Sequence, residues 1–249
     1  MAKLIALDDG HGMTTPDKRT QPIPELNNRV ILKNEFNRAV VALLDEELKR
    51  CGFNTLLVAP GDAETSLDAR TNLANAKGAD AYISTHYNAF DGKFDAYDSK
   101  GISVHIYPGS KEGRKLGEAI LKHLIQGTNQ KNRGIVESNF HVLRETKMVA
   151  TLSENGFMDN KREAMLMLDA TFQKEVAVEH GKGICDYFGV KYVASPQKSK
   201  YPADLSDWAK DAFDFVTEKK ISDGSRPKDP VTREELWVML NNFKNSFLK

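Results

Sequence analysis

Short apolar runs of the β type alternate with segments of helical periodicity from Lys3 to about Tyr192, and this alternation constrains the fold most strongly. Such an order predicts an α/β domain in which helices cover both faces of one sheet. We therefore expect a mixed, mostly parallel six-stranded sheet flanked by helices. The candidate strands are KLIALDD, NTLLVAP, AYISTHY, GISVHIYP, FHVLRET and VATLSENG, and the helical segments are Asn34 to Cys51, Leu67 to Lys77, Lys111 to Gly127 and Lys161 to Phe188.

The last part of the chain has a different composition and hydrophobic pattern. Residues 193–200 read VASPQKSK, a small, polar and basic segment with one proline, which is typical of a linker. Two short helical segments follow around a turn, and Thr232 and Glu235 predict a capping box at the start of the second. We expect a large domain over residues 1–192, a linker over 193–200 and a small all-α module over 201–249. A unit of about 50 residues needs a partner surface or a repeat for stability.

Composition excludes several classes of protein. Lys and Arg together number 35, as do Asp and Glu, so no bulk charge indicates binding to nucleic acid or to a membrane surface. Two cysteines, Cys51 and Cys185, are too few for a disulfide scaffold, and we expect both to be buried thiols. The start MAKLIALDDG lacks the pattern of a secretory signal. We therefore expect the protein to be made in the cytoplasm.

Polar side chains end three of the predicted strands. His11 follows the first strand, His86 ends the strand AYISTHY, and Glu154 ends VATLSENG. Open α/β sheets bind ligands beyond the carboxyl ends of their strands, so these three residues are expected at one edge. Glu35 belongs to the same edge, because the helix that follows a strand in a βα unit begins there.

These residues predict a catalytic zinc site. Two histidines and one glutamate are a common set of three zinc ligands that leaves the fourth position for water. We assign His11, Glu35 and His86 as the zinc ligands, which leaves Glu154 free. A free glutamate can take the proton of a zinc-bound water and pass it to the leaving nitrogen of an amide. The expected chemistry is metal-assisted amide hydrolysis.

Several neighbouring residues are alternatives or supports for this set. Glu25, in the loop before the helix, could replace Glu35 as a ligand. Asp8 and Asp9 are candidates to orient His11, and Asn88 could do the same near His86.

The remaining histidines and Arg144 are expected to be structural. His105 and His141 lie within predicted strands, where a hydrogen-bonded histidine of the core or surface is the simpler interpretation. His123 and His180 lie in helices and receive no role. Arg144 could meet substrate charge near a strand end, but a surface arginine is the simpler reading.

Four blocks of sequence, LIALDDGHG, NEFNRAVVALLDEEL, AYISTHYNAF and NFHVLRETKMVATLSENGFMDN, resemble in this order the motifs of the zinc-dependent N-acetylmuramoyl-L-alanine amidases of bacterial autolysins and phage endolysins. The resemblance covers about residues 1–190. It implies a six-stranded sheet flanked by helices, and cleavage of the amide between N-acetylmuramic acid and the L-alanine of the peptidoglycan stem.

Carried onto matching positions, the resemblance implies zinc ligation by His11, Glu35 and His86 and catalysis by Glu154. The text DDGHGM departs from the usual first motif of the family, which alters the loop that lines the cleft. The segment Thr14 to Asn28 matches no motif, and we expect it to shape substrate specificity.

The C-terminal module resembles one S-layer homology repeat, with a WA-containing helix and a proline-bounded VTREEL helix. The resemblance implies binding to a secondary cell-wall polymer. Such repeats commonly occur in several copies, so a homodimer could supply a second one. The alternative is a helical appendage that packs on the large domain or on itself.

The combined expectation is a phage or prophage endolysin that acts at the bacterial wall after another protein has opened the membrane. A host enzyme of sporulation or lysis is the alternative origin. The alternative functions are a zinc peptidase that cuts within the stem peptide and a wall-binding protein without turnover.

Overall fold

The computed structural model describes residues 2–94, 99–196, 201–202 and 204–247. Contacts divide the chain into two units, Met1–Ser195 and Pro196–Lys249. Residues 193–196 of the predicted linker carry neither helix nor strand, and its residues 197–200 lie outside the described residues.

The described part of the first unit forms a six-stranded sheet in the order β2-β1-β3-β6-β4-β5. The strands β1, β2, β3 and β6 are mutually parallel, whereas β4 pairs antiparallel with β6 and parallel with β5. The expected mixed, mostly parallel sheet is confirmed. The elements are β1 (Leu4–Asp8), α1 (Lys33–Arg50), β2 (Asn54–Leu57), α2 (Leu67–Ala76), β3 (Ala81–Asn88), β4 (Ile102–Ile106), α3 (Lys111–Gly127), β5 (Asn132–Glu137), α4 (His141–Arg144), β6 (Val149–Phe157), α5 (Lys161–Leu166) and α6 (Ala170–Phe188), with a 3₁₀ turn at Pro24–Leu26.

One predicted strand is wrong. The segment FHVLRET contains the short helix α4, and the strand β5 lies before it at Asn132–Glu137. A short apolar run fits a buried helical turn as well as a strand, and here the adjacent Val142 and Leu143 both pack into the core. The strand β5 lies at the edge of the sheet and is half exposed, so its sequence NRGIVE lacks the apolar alternation that marks a strand.

Two helix boundaries also differ from the prediction. The helix α1 begins at Lys33 with Leu32 as its N-cap, one residue before the predicted start at Asn34. The predicted helix Lys161 to Phe188 is interrupted, and α6 starts again behind Asp169, whose carboxylate accepts from the amides of Thr171 and Phe172. Such a cap satisfies amides that the helix itself leaves unpaired.

Helices cover the two faces of the sheet unequally. One face, which includes Ile5 and Leu7, packs in a large apolar cluster against α1, α3 and α6. The other face, with Ala6 and Tyr82, packs in a smaller cluster that includes residues of α2 and α4. Both cysteines are free and buried, as expected.

His180 of α6 is a buried neutral histidine that should make stability depend on pH. One ring nitrogen lies 2.7 Å from the Val176 carbonyl oxygen and the other 2.8 Å from the Ser153 hydroxyl. Burial lowers the pKa of His180 from 6.5 to about 4. Between these values the unfolded chain binds a proton that the native state does not bind. The free energy of unfolding should therefore fall as pH decreases from 6.5 to 4, by up to about 3 kcal/mol from this residue.

Urea unfolding of the unchanged chain and of His180→Gln at pH 7 and pH 4.5 measures this contribution. The variant should lose less stability on acidification than the unchanged chain. His123→Gln is the matched control, because the His123 side chain is partly exposed and its Nε2 lies 2.7 Å from Asp186. Equal losses in the unchanged chain and His180→Gln would contradict the assignment.

The second unit contains a 3₁₀ turn at Asp207–Ala209 and the helices α7 (Lys210–Glu218) and α8 (Arg233–Phe247). The predicted capping box is present, since the amide of Thr232 donates to Glu235 Oε2 at 2.8 Å and the amide of Glu235 donates to Thr232 Oγ1 at 3.1 Å. Large apolar side chains are exposed here, among them Trp208 and Trp237. None of the helices in the described ranges has the length and apolarity needed to cross a membrane.

Candidate active site

The site lies at the carboxyl edge of the parallel strands. His86 of β3 and Glu154 of β6 are register partners on neighbouring strands, so their side chains project from the same face of the sheet. His11 follows the end of β1, and its ring lies edge-on to that of His86 with 5.2 Å between centroids. The structure thus brings His11, His86 and Glu154 to one place, as the strand-end argument predicts.

The glycine in front of His11 is required by close packing. Gly10 has φ of +75°, a conformation that side chains other than glycine rarely adopt. A Cβ atom at this position would also collide with Cε1 of the His86 ring and lie 3.1 Å from Nδ2 of Asn37. The DDGHG motif is therefore the sequence signature of a chain that turns against the His86 ring.

The carboxylate of Asp8 stabilises this turn by accepting a hydrogen bond from its backbone. Its Oδ1 accepts from the amide of Gly10 at 2.9 Å and lies 3.3 Å from Nη1 of Arg70, and its Oδ2 accepts from the Ser84 hydroxyl at 2.8 Å. Both Asp8 and Arg70 are fully buried. The carboxylate therefore positions the backbone before His11, and it makes no described contact with the His11 ring.

Asp9 does not orient His11 either. Burial raises its pKa to about 6, and Asp8 adds to this effect. Its Oδ2 lies 3.8 Å from Nε of Arg38, and its Oδ1 is buried without a hydrogen-bond partner among the described residues. The predicted role of Asn88 beside His86 also has no contact to support it, because Asn88 Oδ1 accepts from the amide of Ala89.

Both imidazole rings are electrically neutral at neutral pH. Burial lowers the pKa of His11 to about 3, and the charge of Lys33 contributes next most. Burial likewise places the pKa of His86 well below its usual range, again with Lys33 as the second cause. Neutral imidazole is the form that coordinates a metal ion.

Lys33 is the residue that sequence reasoning missed. It is the first residue of α1 and only 7% exposed, and its Nζ lies 3.9 Å from Oε2 of Glu154. Burial raises the pKa of the Glu154 carboxyl, an effect that the charge of Lys33 opposes. The same Glu154 oxygen is buried without a hydrogen-bond partner in the described part of the chain. The pocket therefore contains a buried lysine as well as the predicted residues.

Glu35 is held away from the two histidines. Its Oε1 accepts from the amide of Leu32 at 2.8 Å, and its Oε2 pairs with Arg29. Within the described ranges, no group of three or more His, Cys, Asp or Glu side chains is arranged to hold a metal ion. The alternative ligand Glu25 is exposed and pairs with Lys161 at 2.5 Å. The two neutral imidazoles suit zinc, but the described donors do not fit a three-ligand zinc site.

The other candidates make structural contacts. His105 bridges the hydroxyls of Ser103 at 3.1 Å and Ser138 at 2.8 Å, which fits the structural interpretation. His141 lies in α4 rather than in a strand, with Nε2 3.2 Å from Asp68.

Arg144 and His123 also contact side chains outside the pocket. Arg144 contacts Glu145 and Asn139 near its own helix. His123 lies 2.7 Å from Asp186, on a different helix. Neither residue is described in contact with the pocket.

Residues 5–186 match the Amidase_3 family, described as N-acetylmuramoyl-L-alanine amidase. The sporulation-specific N-acetylmuramoyl-L-alanine amidase of Bacillus subtilis is 32% identical over 200 residues, which are 77% of this chain and 70% of that protein. The endolysin of Bacillus phage SPP1 is 32% identical over 208 residues, which are 82% of this chain and 73% of that protein.

Solved structures agree with this relationship. An N-acetylmuramoyl-L-alanine amidase of Clostridium difficile 630 is 28% identical, with a TM-score of 0.67 over 76% of this chain and 97% of that one. The catalytic domain of the amidase CwlV of Bacillus (Paenibacillus) polymyxa is 28% identical, with a TM-score of 0.66 over 76% of this chain and 99% of that one. The chain belongs to the N-acetylmuramoyl-L-alanine amidase family.

Proposed function

We propose that the chain hydrolyses peptidoglycan at the amide between N-acetylmuramic acid and the L-alanine of the stem peptide. The family match supports the substrate class. The observation that carries the proposal is the position of Glu154, buried opposite His86 at the carboxyl edge of the sheet.

In this proposal Glu154 acts as general base and then as general acid. It takes a proton from the attacking water and returns it to the leaving nitrogen of L-alanine. A carboxylate in water is a weak base, and burial strengthens it by raising the pKa of Glu154. Zinc dependence stays a prediction of the sequence, since Glu35 is engaged by Leu32 and Arg29.

The biological setting is part of the proposal. Similarity to the SPP1 endolysin supports a phage or prophage endolysin that acts at the wall after release. Similarity of equal identity to the sporulation-specific amidase supports the host alternative.

The second unit would bind a secondary cell-wall polymer, by itself or as a homodimer. Support comes from the exposed Trp208 and Trp237, and from a cleft of about 910 Å³ beside α7 and α8 whose lining includes Lys220 and Arg226. Exposed aromatic side chains are common at binding surfaces, because one large ring buries much apolar area.

Purified cell walls test the proposed activity. The expected result is a fall in turbidity together with release of the α-amino group of L-alanine, measured with added zinc and with a chelator. Release of amino groups from other stem residues instead would identify a peptidase. The same samples should be centrifuged, because pelleting of the protein with walls measures binding independently of turnover.

One observation favours a second candidate, a wall-binding protein without turnover. The buried ammonium of Lys33 beside Glu154 occupies a pocket in which the described residues provide no third metal ligand. Pelleting with walls, without release of L-alanine amino groups at any zinc concentration, would establish this function and exclude the amidase.

A further inference from the structure

We infer that the ammonium group of Lys33 occupies the pocket in place of a metal ion. Helix position 33, rather than position 35, then decides whether this chain binds a divalent metal ion tightly. The inference concerns the same pocket as the proposed function and rests on it for the identity of the site. It predicts weak zinc binding by the unchanged chain and tight binding after one substitution.

Helix geometry separates the two positions. Successive residues of an α-helix are rotated by about 100°, so Lys33 and Glu35 point about 200° apart, whereas Lys33 and Asn37 share one face. Lys33 reaches Glu154, and Asn37 lies close to Gly10, which itself packs on the His86 ring. The face that carries positions 33 and 37 is therefore the one directed at the pocket.

Glu35 is fixed on the other side by two contacts. Glu35 is the third residue of α1, where its Oε1 accepts from the amide of the N-cap residue Leu32 at 2.8 Å, and it also pairs with Arg29. Turning it toward the histidines would break both contacts and would still leave it on the far face of the helix. Rotation of a side chain alone therefore does not supply the missing donor.

The charge of Lys33 opposes metal binding. A dication held by His11 and His86 would lie close to an ammonium that also acts on both rings. Two like unit charges 4 Å apart near a protein surface repel enough to change an equilibrium constant by about 10³, and the effect is larger for a dication. Burial lowers the pKa of Lys33, and the Glu154 carboxylate 3.9 Å away opposes that effect and so favours the charged ammonium.

The substitution Lys33→Glu reverses both effects at once. It removes the cation and puts a carboxylate on the helix face that is directed at His11 and His86, which would give a set of two histidines and one glutamate. We expect the dissociation constant for Zn²⁺ to fall by at least about 100-fold relative to the unchanged chain. Lys33→Gln, which removes the charge without supplying an anionic donor, should give a smaller gain.

The test is a zinc titration of the full chain against a chromophoric chelator, with metal content measured after dialysis. The unchanged chain and Glu35→Gln should bind zinc equally weakly, and Lys33→Glu should retain about one ion per chain. Thermal unfolding provides a second measurement. Zinc should stabilise Lys33→Glu strongly and the unchanged chain little, because a ligand that binds only the native state stabilises it.

Two results would overturn the inference. The first is tight zinc binding by the unchanged chain that Glu35→Gln weakens more than 10-fold, which would make Glu35 the ligand. The second is a zinc affinity in both Lys33→Glu and Lys33→Gln equal to that of the unchanged chain. The comparison between the unchanged chain and Glu35→Gln stays informative even if Lys33→Glu folds poorly.

The inference about zinc affinity and the proposed amidase activity can be contradicted independently of each other. If Lys33→Glu gains zinc but releases no L-alanine amino groups from walls, the inference holds and the proposed amidase activity is wrong. If the unchanged chain hydrolyses walls at full rate in the presence of a chelator, the activity holds without any tightly bound metal ion.

Discussion

Glu154→Gln is expected to lower the release of L-alanine amino groups from purified walls by about 10² to 10⁴, in the unchanged chain and in Lys33→Glu alike. Glutamine keeps the size of the side chain but cannot accept the proton of the attacking water. The rate should be measured from the initial release of amino groups at saturating wall concentration, so that a change in wall binding does not contribute.

Glu35→Gln is the control for this experiment, since it makes the same carboxylate-to-amide change on the opposite side of α1. Its rate should stay close to that of the unchanged chain. A loss in Glu35→Gln equal to that in Glu154→Gln would place Glu35 in the chemistry. Because Glu154→Gln also leaves the buried Lys33 without its anionic partner, the assay temperature should lie well below the unfolding midpoint of the variant.

Arg70→Met is expected to lower the free energy of unfolding by about 3 to 5 kcal/mol, because it leaves the Asp8 carboxylate buried without its cation. The exposed fractions of the two side chains are 1% for Arg70 and 0% for Asp8, so water cannot take over the role of the guanidinium. Urea unfolding monitored by circular dichroism provides the measurement.

Lys3→Met is the matched control for Arg70→Met. Lys3 pairs with Asp80 at 2.8 Å, but their side chains are 51% and 31% exposed, so the expected loss is only about 0 to 1 kcal/mol. Similar losses in the two variants would mean that the pair of Asp8 and Arg70 contributes no more than a surface ion pair.

The sequence allowed prediction of those parts of the site that depend on strand ends. An apolar run that gives way to a polar residue located His86 and Glu154 near the carboxyl ends of β3 and β6, whereas the pairing of these two strands and its register come from the structure. The same logic placed His11, because the chain leaves β1 at the same edge. These predictions depend only on the period of the strand and on the direction of pairing.

The helix position was harder to predict, for a geometric reason. Because α1 begins at this edge, its whole first turn is expected near the site. Side chains two positions apart in a helix, however, point in nearly opposite directions. The helix starts at Lys33 rather than at Asn34, so the predicted segment left Lys33 outside the helix and kept Glu35 in its first turn. The face that carries positions 33 and 37 is identified by the contact of Asn37 with Gly10, which only the structure shows.

Long-range partners were also outside the reach of sequence patterns. Arg70 is 62 residues from Asp8 in the chain, and nothing local marks it as the buried partner of that carboxylate. The assignment of Asp8 to His11 followed from proximity in sequence, whereas the structure directs Asp8 to the backbone of Gly10 and to a neighbouring strand.

The reversal of chain direction between β6 and β4 has a consequence for how such a protein can diversify. Ser103, near the start of β4, lies opposite Glu154 on one side of β6, and His86, near the end of β3, lies opposite it on the other side. The chain therefore leaves β3 and enters β4 at the same edge of the sheet. Residues 89–94, which follow β3, and residues 99–101, which precede β4, lie at the carboxyl edge of the parallel strands without belonging to them. Exchange of residues 89–94 would therefore change the border of the site while the four parallel strands keep their packing.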